Sequence, residues 1–323
     1  MSLGKTIELN NGVRIPQIGL GTWLAQPGEV EAAVQWAVEA GYRHIDCARI
    51  YHNQEEVGAA LKKVIPEVCK REDIFITSKL WNNSHAPEDV EPALDECLEQ
   101  LGLDYLDLFL IHWPVAYRPG PELSPKRNDG RPDIVYDLAL ADTWRAMTAL
   151  VKTGKVRAVG VSNFTVEQIK GIVEATGVVP QMNQVEAHPL LPQDDLVKYC
   201  EEKNIHITAY SPLGNNFVGE PMIIDYPAVK EVAAKHNASA AQAVIAWGAH
   251  RGYIVIPKSV HKGRIEENFQ QIELSGDDYQ RVGSIGVNRH RRFNIPVNYK
   301  PSWEINIWDE EAEQGVDKRQ RIA

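Results

Sequence analysis

Long apolar runs are missing from this chain. None of its 323 residues lies in an apolar stretch close to the roughly 20 residues that a membrane-spanning helix needs. An excess of basic residues is missing as well, because 34 Lys and Arg stand against 44 Asp and Glu, a formal net charge of −10. Nucleic-acid binding requires a basic face. We therefore predict partners that are neither membranes nor nucleic acids.

Cysteine is scarce, and none of the cysteines is part of a C-x-x-C pair. The four residues are Cys47, Cys69, Cys97 and Cys200, and their spacing is typical of structural thiols in a reducing compartment. The N-terminus, MSLGKTIELN, has no apolar segment of the kind that a signal peptide contains. We therefore expect a cytoplasmic protein.

Several nucleotide and metal motifs are absent. Gly19-Leu20-Gly21 is followed by Thr22-Trp23-Leu24, so the third glycine of a G-x-G-x-x-G turn is missing, and no G-x-x-x-x-G-K-[ST] run occurs. This disfavours a doubly wound dinucleotide-binding sheet. No H-E-x-x-H spacing occurs either, and we predict no metal.

What the chain does contain is an alternation of strand and helix patterns. A hairpin around Asn11-Gly12 comes first. Eight predicted strands follow, separated by helical patterns such as 165–176, where Thr165 and Gln168 form a capping box. The strands begin near Gln17, Arg43, Ile74, Leu106, Ala158, Met182, Ile205 and Tyr253. This order predicts one α/β domain over residues 1–323, a (β/α)₈ TIM barrel with an N-terminal β-hairpin and an extended C-terminal tail.

Three segments exceed the usual connection length: 114–136, 214–225 and the tail after about residue 285. Each could be a lid over a site or simply surface decoration, and the sequence leaves both interpretations open.

Three predicted strands end in a titratable group at the same register. Asp46, Lys79 and His112 follow one another at intervals of 33 residues, which is one strand-helix repeat. A lysine at a strand end is usually solvated and a lone histidine is usually a core group. The shared register makes it improbable that these explanations hold for all three residues at once. The C-terminal strand ends are also where the active sites of barrels lie.

An aspartate within an apolar strand needs a partner, and Lys79 is the candidate for Asp46. The pair would lie close to Tyr51, five residues beyond Asp46. A cation about 4 Å away contributes roughly 4 kcal/mol at an effective dielectric constant of about 20, so we expect a lowered tyrosine pKa. Tyr51 could then protonate the oxygen of a carbonyl while His112 donates a second hydrogen bond. This arrangement predicts carbonyl reduction.

The later strand ends suit a nicotinamide cofactor. Ser162, Asn163 and Gln184 can meet a carboxamide, and strand-end capping is the alternative interpretation of the same residues. Tyr210 offers a flat face for a ring. A basic cluster at the start of the last barrel helix is the candidate site for a cofactor phosphate, and it consists of Lys258, Ser259 and Arg264. The predicted substrate contacts are Trp23, Tyr51, Trp81, His112 and Trp113, with Trp303 or Trp308 from the tail.

Six segments together resemble the aldo-keto reductase superfamily. They are GYRHIDCARIY, ITSKLW, LIHWP, VGVSNF, ITAYSPLG and IPKS with its downstream R-x-x-E-N, and they follow the family order along nearly the whole chain. The runs SKLWNNSH, LGNNFVGEPM and RRFNIPVNYKPSWEINIW are most similar to fungal NADPH-dependent aldehyde reductases and NADP-dependent glycerol dehydrogenases. His261 departs from the pattern, because many relatives have a hydroxyl residue there.

The resemblance implies NADPH-dependent reduction of aldehydes by a monomer. Asp46, Tyr51, Lys79 and His112 would be the catalytic tetrad, with Tyr51 as the general acid. The implied cofactor contacts are Thr22, Trp23, Asp46, Ser162, Asn163, Gln184, Tyr210, Ser211, Leu213, Lys258, Ser259, Val260, Arg264, Glu267 and Asn268.

Two other functions stay open: an aldolase that forms a Schiff base on Lys79, and a binding subunit of this fold without turnover. The Y-x-x-x-K pattern of Tyr199 and Lys203 is interpreted as a coincidence, because it lies on an amphipathic helix and lacks the glycine turn.

Overall fold

The chain begins with a β-hairpin. A computed structural model describes residues 5–214 and 221–323. Strands β1 (Thr6–Glu8) and β2 (Arg14–Pro16) pair antiparallel, and Gly12 turns between them at a φ of 83°, a conformation that glycine adopts without strain. Ile15 from this hairpin packs into a cluster with side chains from inside the barrel, among them Leu108 and Ile254. The hairpin therefore closes one end of the barrel.

Eight parallel strands form the barrel. They are β3 (Leu20–Gly21), β4 (His44–Asp46), β5 (Phe75–Leu80), β6 (Leu106–Ile111), β7 (Val156–Ser162), β8 (Met182–Glu186), β9 (His206–Tyr210) and β10 (Ile254–Val255). Each strand pairs with the next in chain order. Parallel bridges from Ile18 to Val255 and from Gly21 to Lys258 join the first strand to the last. The predicted (β/α)₈ fold is confirmed, although β3 and β10 are shorter than their apolar patterns indicate.

Helices occupy the connections between these strands, and two more follow the last strand. They are α1 (Val30–Ala40), α2 (Gln54–Val64), α3 (Pro87–Leu101), α4 (Leu140–Ala149), α5 (Val166–Thr176), α6 (Asp194–Glu202), α7 (Pro227–Lys235), α8 (Ala240–His250), α9 (Lys262–Phe269) and α10 (Gly276–Gly283). The predicted capping box is present in α5, where Gln168 N donates to Thr165 Oγ1 at 3.2 Å and Thr165 N donates to Gln168 Oε1 at 3.0 Å. Within the described ranges, no helix combines the length and apolar character that a bilayer crossing needs.

Two apolar layers surround the strands. Every residue of β5 and β6 is buried, as expected for parallel strands covered on both faces. One layer fills the barrel interior, and the other lies between the barrel and the apolar faces of the helices. In α3 that face consists of Val90, Leu94, Cys97, Leu98 and Leu101. The strand ends that face the helix N-termini are left for the loops that build a site.

Two of the long segments pack against each other. In the connection 114–136, Tyr117 bridges to Ile134, and both lie in an apolar cluster with Trp303 and Ile305 of the tail. The tail continues along the barrel until Ile322, whose carbonyl accepts a 2.8 Å hydrogen bond from Ala141 N at the start of α4. The third long segment was predicted over 214–225, and residues 215–220 of it lie outside the described residues.

Candidate active site

A cleft of about 610 Å³ lies at the C-terminal ends of the strands. Residues from the strand ends, the long connections and the tail line it together. Its lining includes the predicted residues Thr22, Trp23, Asp46, Tyr51, Trp81, His112, Trp113, Ser162, Asn163, Gln184, Tyr210, Ser211, Leu213, Lys258, Arg264 and Trp303. The structure thus brings residues from strands far apart in sequence to one surface.

Lys79 and Asp46 form a buried ion pair beneath this cleft. Lys79 is 0% exposed, and its Nζ lies 2.5 Å from Asp46 Oδ1 and 2.8 Å from the Cys47 carbonyl oxygen. The other carboxylate oxygen, Asp46 Oδ2, accepts a 2.7 Å hydrogen bond from Gln184 Nε2. Burial alone would lower the pKa of Lys79, but Asp46 and Tyr51 outweigh it and raise that pKa. The lysine is therefore held as an ammonium group.

Tyr51 lies within reach of this ammonium. Lys79 Nζ donates to the Tyr51 hydroxyl oxygen at 3.3 Å. Burial nevertheless raises the pKa of Tyr51 to about 12, against the opposing effect of Lys79. The expectation of a lowered pKa is wrong, because the loss of hydration exceeds the attraction of a lysine that Asp46 already neutralises in part. Tyr51 consequently stays protonated and able to donate throughout the neutral pH range.

His112 faces Tyr51 across the cleft. The two rings meet edge to face with centroids 5.7 Å apart, and the ring of Trp81 packs on His112 at 5.2 Å. Burial, followed by the charge of Lys79, holds the pKa of His112 well below its usual value. A neutral imidazole has a single N–H donor. Because Nδ1 is enclosed and has no hydrogen-bond partner in the described part of the chain, Nε2 is the nitrogen that can serve the cleft.

A hydrogen-bonded network of amides and hydroxyls continues from this centre. Asn163 Nδ2 donates to the His112 carbonyl oxygen at 2.9 Å, and the Tyr210 hydroxyl donates to Asn163 Oδ1 at 2.8 Å. Ser162 Oγ donates to the Gln184 carbonyl oxygen at 2.7 Å. The ring of Tyr210 is thereby fixed as a flat wall beside polar groups.

The far end of the cleft is basic. Lys258 and Arg264 line it, and Lys258 Nζ donates to the Leu24 carbonyl oxygen at 3.0 Å. Within residues 5–214 and 221–323, neither cation has an ion-pair partner. The other cofactor contacts predicted in this part of the sequence do not line the cleft, namely Ser259, Val260, Glu267 and Asn268. They remain predictions.

Aromatic rings from the tail complete the wall opposite Tyr51. Trp113 contacts Trp303 with centroids 5.4 Å apart and Tyr299 with centroids 6.3 Å apart. Trp23 is 37% exposed and lines the rim of the cleft. Trp308 contacts Trp113 at 5.8 Å from behind, outside the lining. The tail therefore contributes Trp303, one of its two predicted tryptophans, to the cleft surface.

Sequence comparison assigns this architecture to a known family. A model described as the aldo/keto reductase family matches residues 17–286. The chain belongs to the aldo/keto reductase family. It is 53% identical to the D/L-glyceraldehyde reductase of Hypocrea jecorina over 98% of both chains. It is also 44% identical to the glycerol 2-dehydrogenase (NADP(+)) of the same fungus, over 95% of this chain and 99% of that one. Both predicted similarities are confirmed.

Solved structures of the family agree with the fold. The aldose reductase from Schistosoma japonicum superposes with a TM-score of 0.84 at 42% identity, over 90% of this chain and 94% of that one. The aldose reductase from Giardia lamblia has the same TM-score at 39% identity, over 90% of this chain and 98% of that one. The predicted barrel is thus shared with enzymes at substantial identity.

As an aldo/keto reductase, the chain is an NADP(H)-dependent oxidoreductase. The donor set of the cleft fits this cofactor. Asn163 and Gln184 supply amide groups at one end, and Tyr210 supplies a fixed aromatic face. At the other end are Lys258 and Arg264, two cations that form no ion pair with any described residue, in a chain of net charge −10. A dinucleotide has a carboxamide, a flat ring and phosphates in that same order.

Two residues that line the cleft, and one that supports it, carry no signal in the sequence. Asn53 Nδ2 donates to the Thr22 carbonyl oxygen at 2.9 Å and fixes the loop after β3. Asn294 and Tyr299 line the cleft from the tail, and no periodic pattern marks them.

The described residues contain no group of three or more His, Cys, Asp or Glu suited to a metal ion. Tyr199 and Lys203 lie at α6, outside the cleft lining.

Proposed function

We propose that this aldo/keto reductase reduces small, uncharged aldehydes to alcohols in a reversible reaction, with Tyr51 as the proton donor. One observation carries the proposal. Lys79 Nζ lies 2.5 Å from Asp46 and 3.3 Å from the Tyr51 hydroxyl oxygen at the wall of a cleft. A buried cation beside a phenol is an arrangement that suits proton donation to an oxygen that gains charge.

The proton passes from Tyr51 to the carbonyl oxygen. NADPH, when bound, supplies the hydride for the carbonyl carbon. The pKa of about 12 keeps the Tyr51 hydroxyl protonated before the reaction. Lys79 then stabilises the phenolate that remains, and its own charge is held in place by Asp46. His112 is neutral and can donate one hydrogen bond to the same carbonyl oxygen, which orients it toward Tyr51.

Most of the residues proposed to hold NADPH line the rest of the cleft, and four lie outside its lining but close to Arg264 in sequence. Amides of Asn163 and Gln184 would bond the carboxamide, the ring of Tyr210 would stack on the nicotinamide, and Arg264 with Lys258 would receive the 2′-phosphate. The other proposed contacts are those of the family motif: Thr22, Trp23, Asp46, Ser162, Ser211, Leu213, Ser259, Val260, Glu267 and Asn268.

The charge distribution favours uncharged substrates. Among the lining residues that the structure describes, the only lysine and arginine are Lys258 and Arg264, at the end proposed for the phosphate. Around Tyr51, the walls are the aromatic rings of Trp81, Trp113 and Trp303. A carboxylate on the substrate would lose its hydration there without a counter-charge. The names of the two fungal relatives, which refer to glyceraldehyde and glycerol, agree with small polyhydroxylated substrates.

A carbonyl panel tests this function. Oxidation of NADPH is followed by absorbance with glyceraldehyde, dihydroxyacetone, xylose, 4-nitrobenzaldehyde and 4-carboxybenzaldehyde. The last two form a matched pair, and we expect kcat/KM to be at least about tenfold lower for the carboxylate, the equivalent of about 1.4 kcal/mol. Equal values would refute the charge argument. No turnover with any carbonyl would indicate a binding subunit instead.

The alternative function is that of an aldolase, and a labelling experiment distinguishes it from a reductase. A Schiff base needs a neutral, accessible amine, whereas Lys79 is 0% exposed and has a raised pKa. Borohydride treatment with glyceraldehyde should leave the mass of the protein unchanged at Lys79. Covalent labelling of that lysine would contradict the reductase mechanism.

A further inference from the structure

Glu186 is a buried carboxylate for which the reductase chemistry has no use. It is the last residue of β8 and is 0% exposed. Its Oε1 accepts hydrogen bonds from His188 Nε2 at 2.9 Å and from Phe293 N at 2.8 Å. Its Oε2 accepts from Asn294 N at 2.8 Å and from Asn294 Nδ2 at 2.9 Å. Every donor is either beside the strand end or in the tail.

This carboxylate is held in its ionised form. Burial would raise the pKa of Glu186, but the hydrogen bond from His188, the N–H of Phe293 and the charge of Arg292 together lower it. An ionised carboxylate accepts hydrogen bonds with both oxygens and donates none. The site is therefore complementary to two consecutive backbone N–H groups of the tail.

The tail enters the cleft at the point where Glu186 holds it. Asn294 lines the cleft directly, and Tyr299 and Trp303 line it a few residues later. On the same face of the same strand, two residues earlier, Gln184 bonds Asp46 of the ion pair at 2.7 Å. One strand end is thus bonded both to the proposed proton-donating centre and to the wall opposite it.

We infer that Glu186 is a positioning residue that sets the distance between the Tyr51 centre and the tail wall, and so determines which carbonyl substrates fit. This inference rests on the proposed reductase function. Glu186 acts through Asn294 and the aromatic residues of the tail, without touching the substrate. Its loss should change substrate binding and preference while leaving cofactor affinity intact.

Glu186→Gln is the direct test, because it keeps the size of the side chain and replaces one acceptor oxygen with an N–H₂ donor. His188 can change its tautomer and the Asn294 amide can rotate, but a backbone N–H cannot adapt. The new donor therefore faces either Phe293 N or Asn294 N, whichever way the amide points. The tail must move away from β8 to relieve this contact.

The experiment compares kcat, KM and NADPH affinity for wild type and Glu186→Gln. We expect KM for 4-nitrobenzaldehyde to rise about tenfold, with kcat and the Kd of NADPH within about threefold of wild type. The relative kcat/KM for glyceraldehyde and 4-nitrobenzaldehyde should also change. Unaltered KM values and preference would overturn the inference.

Asp107→Asn is the matched control for a merely structural effect. Asp107 is 1% exposed, lies at the opposite end of the barrel in β6, and accepts from Ile76 N at 2.9 Å and from two arginines. Both variants should lose thermal stability, but only Glu186→Gln should change KM. The same KM change in both variants would mean that Glu186 has a stabilising role alone.

A second variant covers the case in which Glu186→Gln does not fold. Glu186→Asp keeps the charge and both acceptors but withdraws them by one methylene, so KM should rise by a smaller factor in the same substrate order. Unchanged KM in this variant would also overturn the inference. The wild-type panel is measured first, so that failure of the reductase proposal is recognised independently of the variants.

Discussion

Replacing Lys79 with methionine should remove both activity and stability. The ammonium lies 3.3 Å from the Tyr51 hydroxyl oxygen, and Coulomb's law at an effective dielectric constant of about 20 gives about 5 kcal/mol for its attraction to a phenolate there. Asp46 cancels part of this, so we expect kcat to fall at least about a hundredfold. The variant also leaves Asp46 buried with Gln184 as a remaining partner, at a cost of about 3 to 5 kcal/mol in the free energy of unfolding.

Two further variants separate the two effects. Lys79→Met combined with Asp46→Asn removes the uncompensated charge and should recover part of the stability without recovering activity. Lys155→Met deletes a solvent-accessible lysine that pairs with Glu91 and Asp95, and should leave the free energy of unfolding nearly unchanged because exposed ion pairs contribute little. Urea denaturation and NADPH oxidation measure these quantities. A Lys79→Met variant as stable and active as wild type would refute the pairing.

Three more predictions concern the cofactor, pH and the tail. Arg264→Ala should weaken NADPH binding about ten- to a hundredfold and leave NADH binding almost unchanged. Fluorescence quenching measures both affinities, with Lys262→Ala as the control, and equal losses of affinity for NADPH and NADH would mean that Arg264 contacts another part of the cofactor. The free energy of unfolding should fall by about 2 kcal/mol for each buried neutral histidine as pH drops from about 7 to about 5, because the unfolded chain takes up protons below about pH 6.5 that the folded chain does not. Urea denaturation measures this, and a free energy of unfolding that is independent of pH over this range would contradict the prediction. These histidines have lowered pKa values and are His44, His85 and His112. Trp303→Ala should alter relative kcat/KM across the carbonyl panel more than NADPH affinity, and an unchanged order of substrates would leave the tail without a role in specificity.

The positions of the strand ends could be predicted because each strand-helix unit of the barrel has a similar length in sequence. Asp46, Lys79 and His112 are one strand-helix unit apart in sequence, and in the structure they surround Tyr51 at one end of the barrel. The eight strands could be predicted from the alternation of strand and helix patterns along the chain, in which the largely apolar β6 is typical of a buried parallel strand.

The electrostatics of Tyr51 could not be predicted in the same way. A sequence places Lys79 near the phenol, but burial depends on side chains from many segments and decides the sign of the pKa shift. The path of the tail could not be predicted for a similar reason. It depends on hydrogen bonds between Glu186 and residues more than 100 positions later, which no local pattern encodes. Neither Ser259, which precedes α9, nor Asn268, near the C-terminal end of α9, lines the cleft.

The central claim is that Tyr51 donates the proton, and Tyr51→Phe tests it most directly. The variant deletes one hydroxyl and keeps the ring that packs on His112. We predict that kcat for glyceraldehyde falls by about a thousandfold, within the range for loss of a general acid, while the Kd of NADPH stays within about twofold of wild type. A variant that retains a tenth or more of the wild-type kcat would contradict the account and assign the proton to another group.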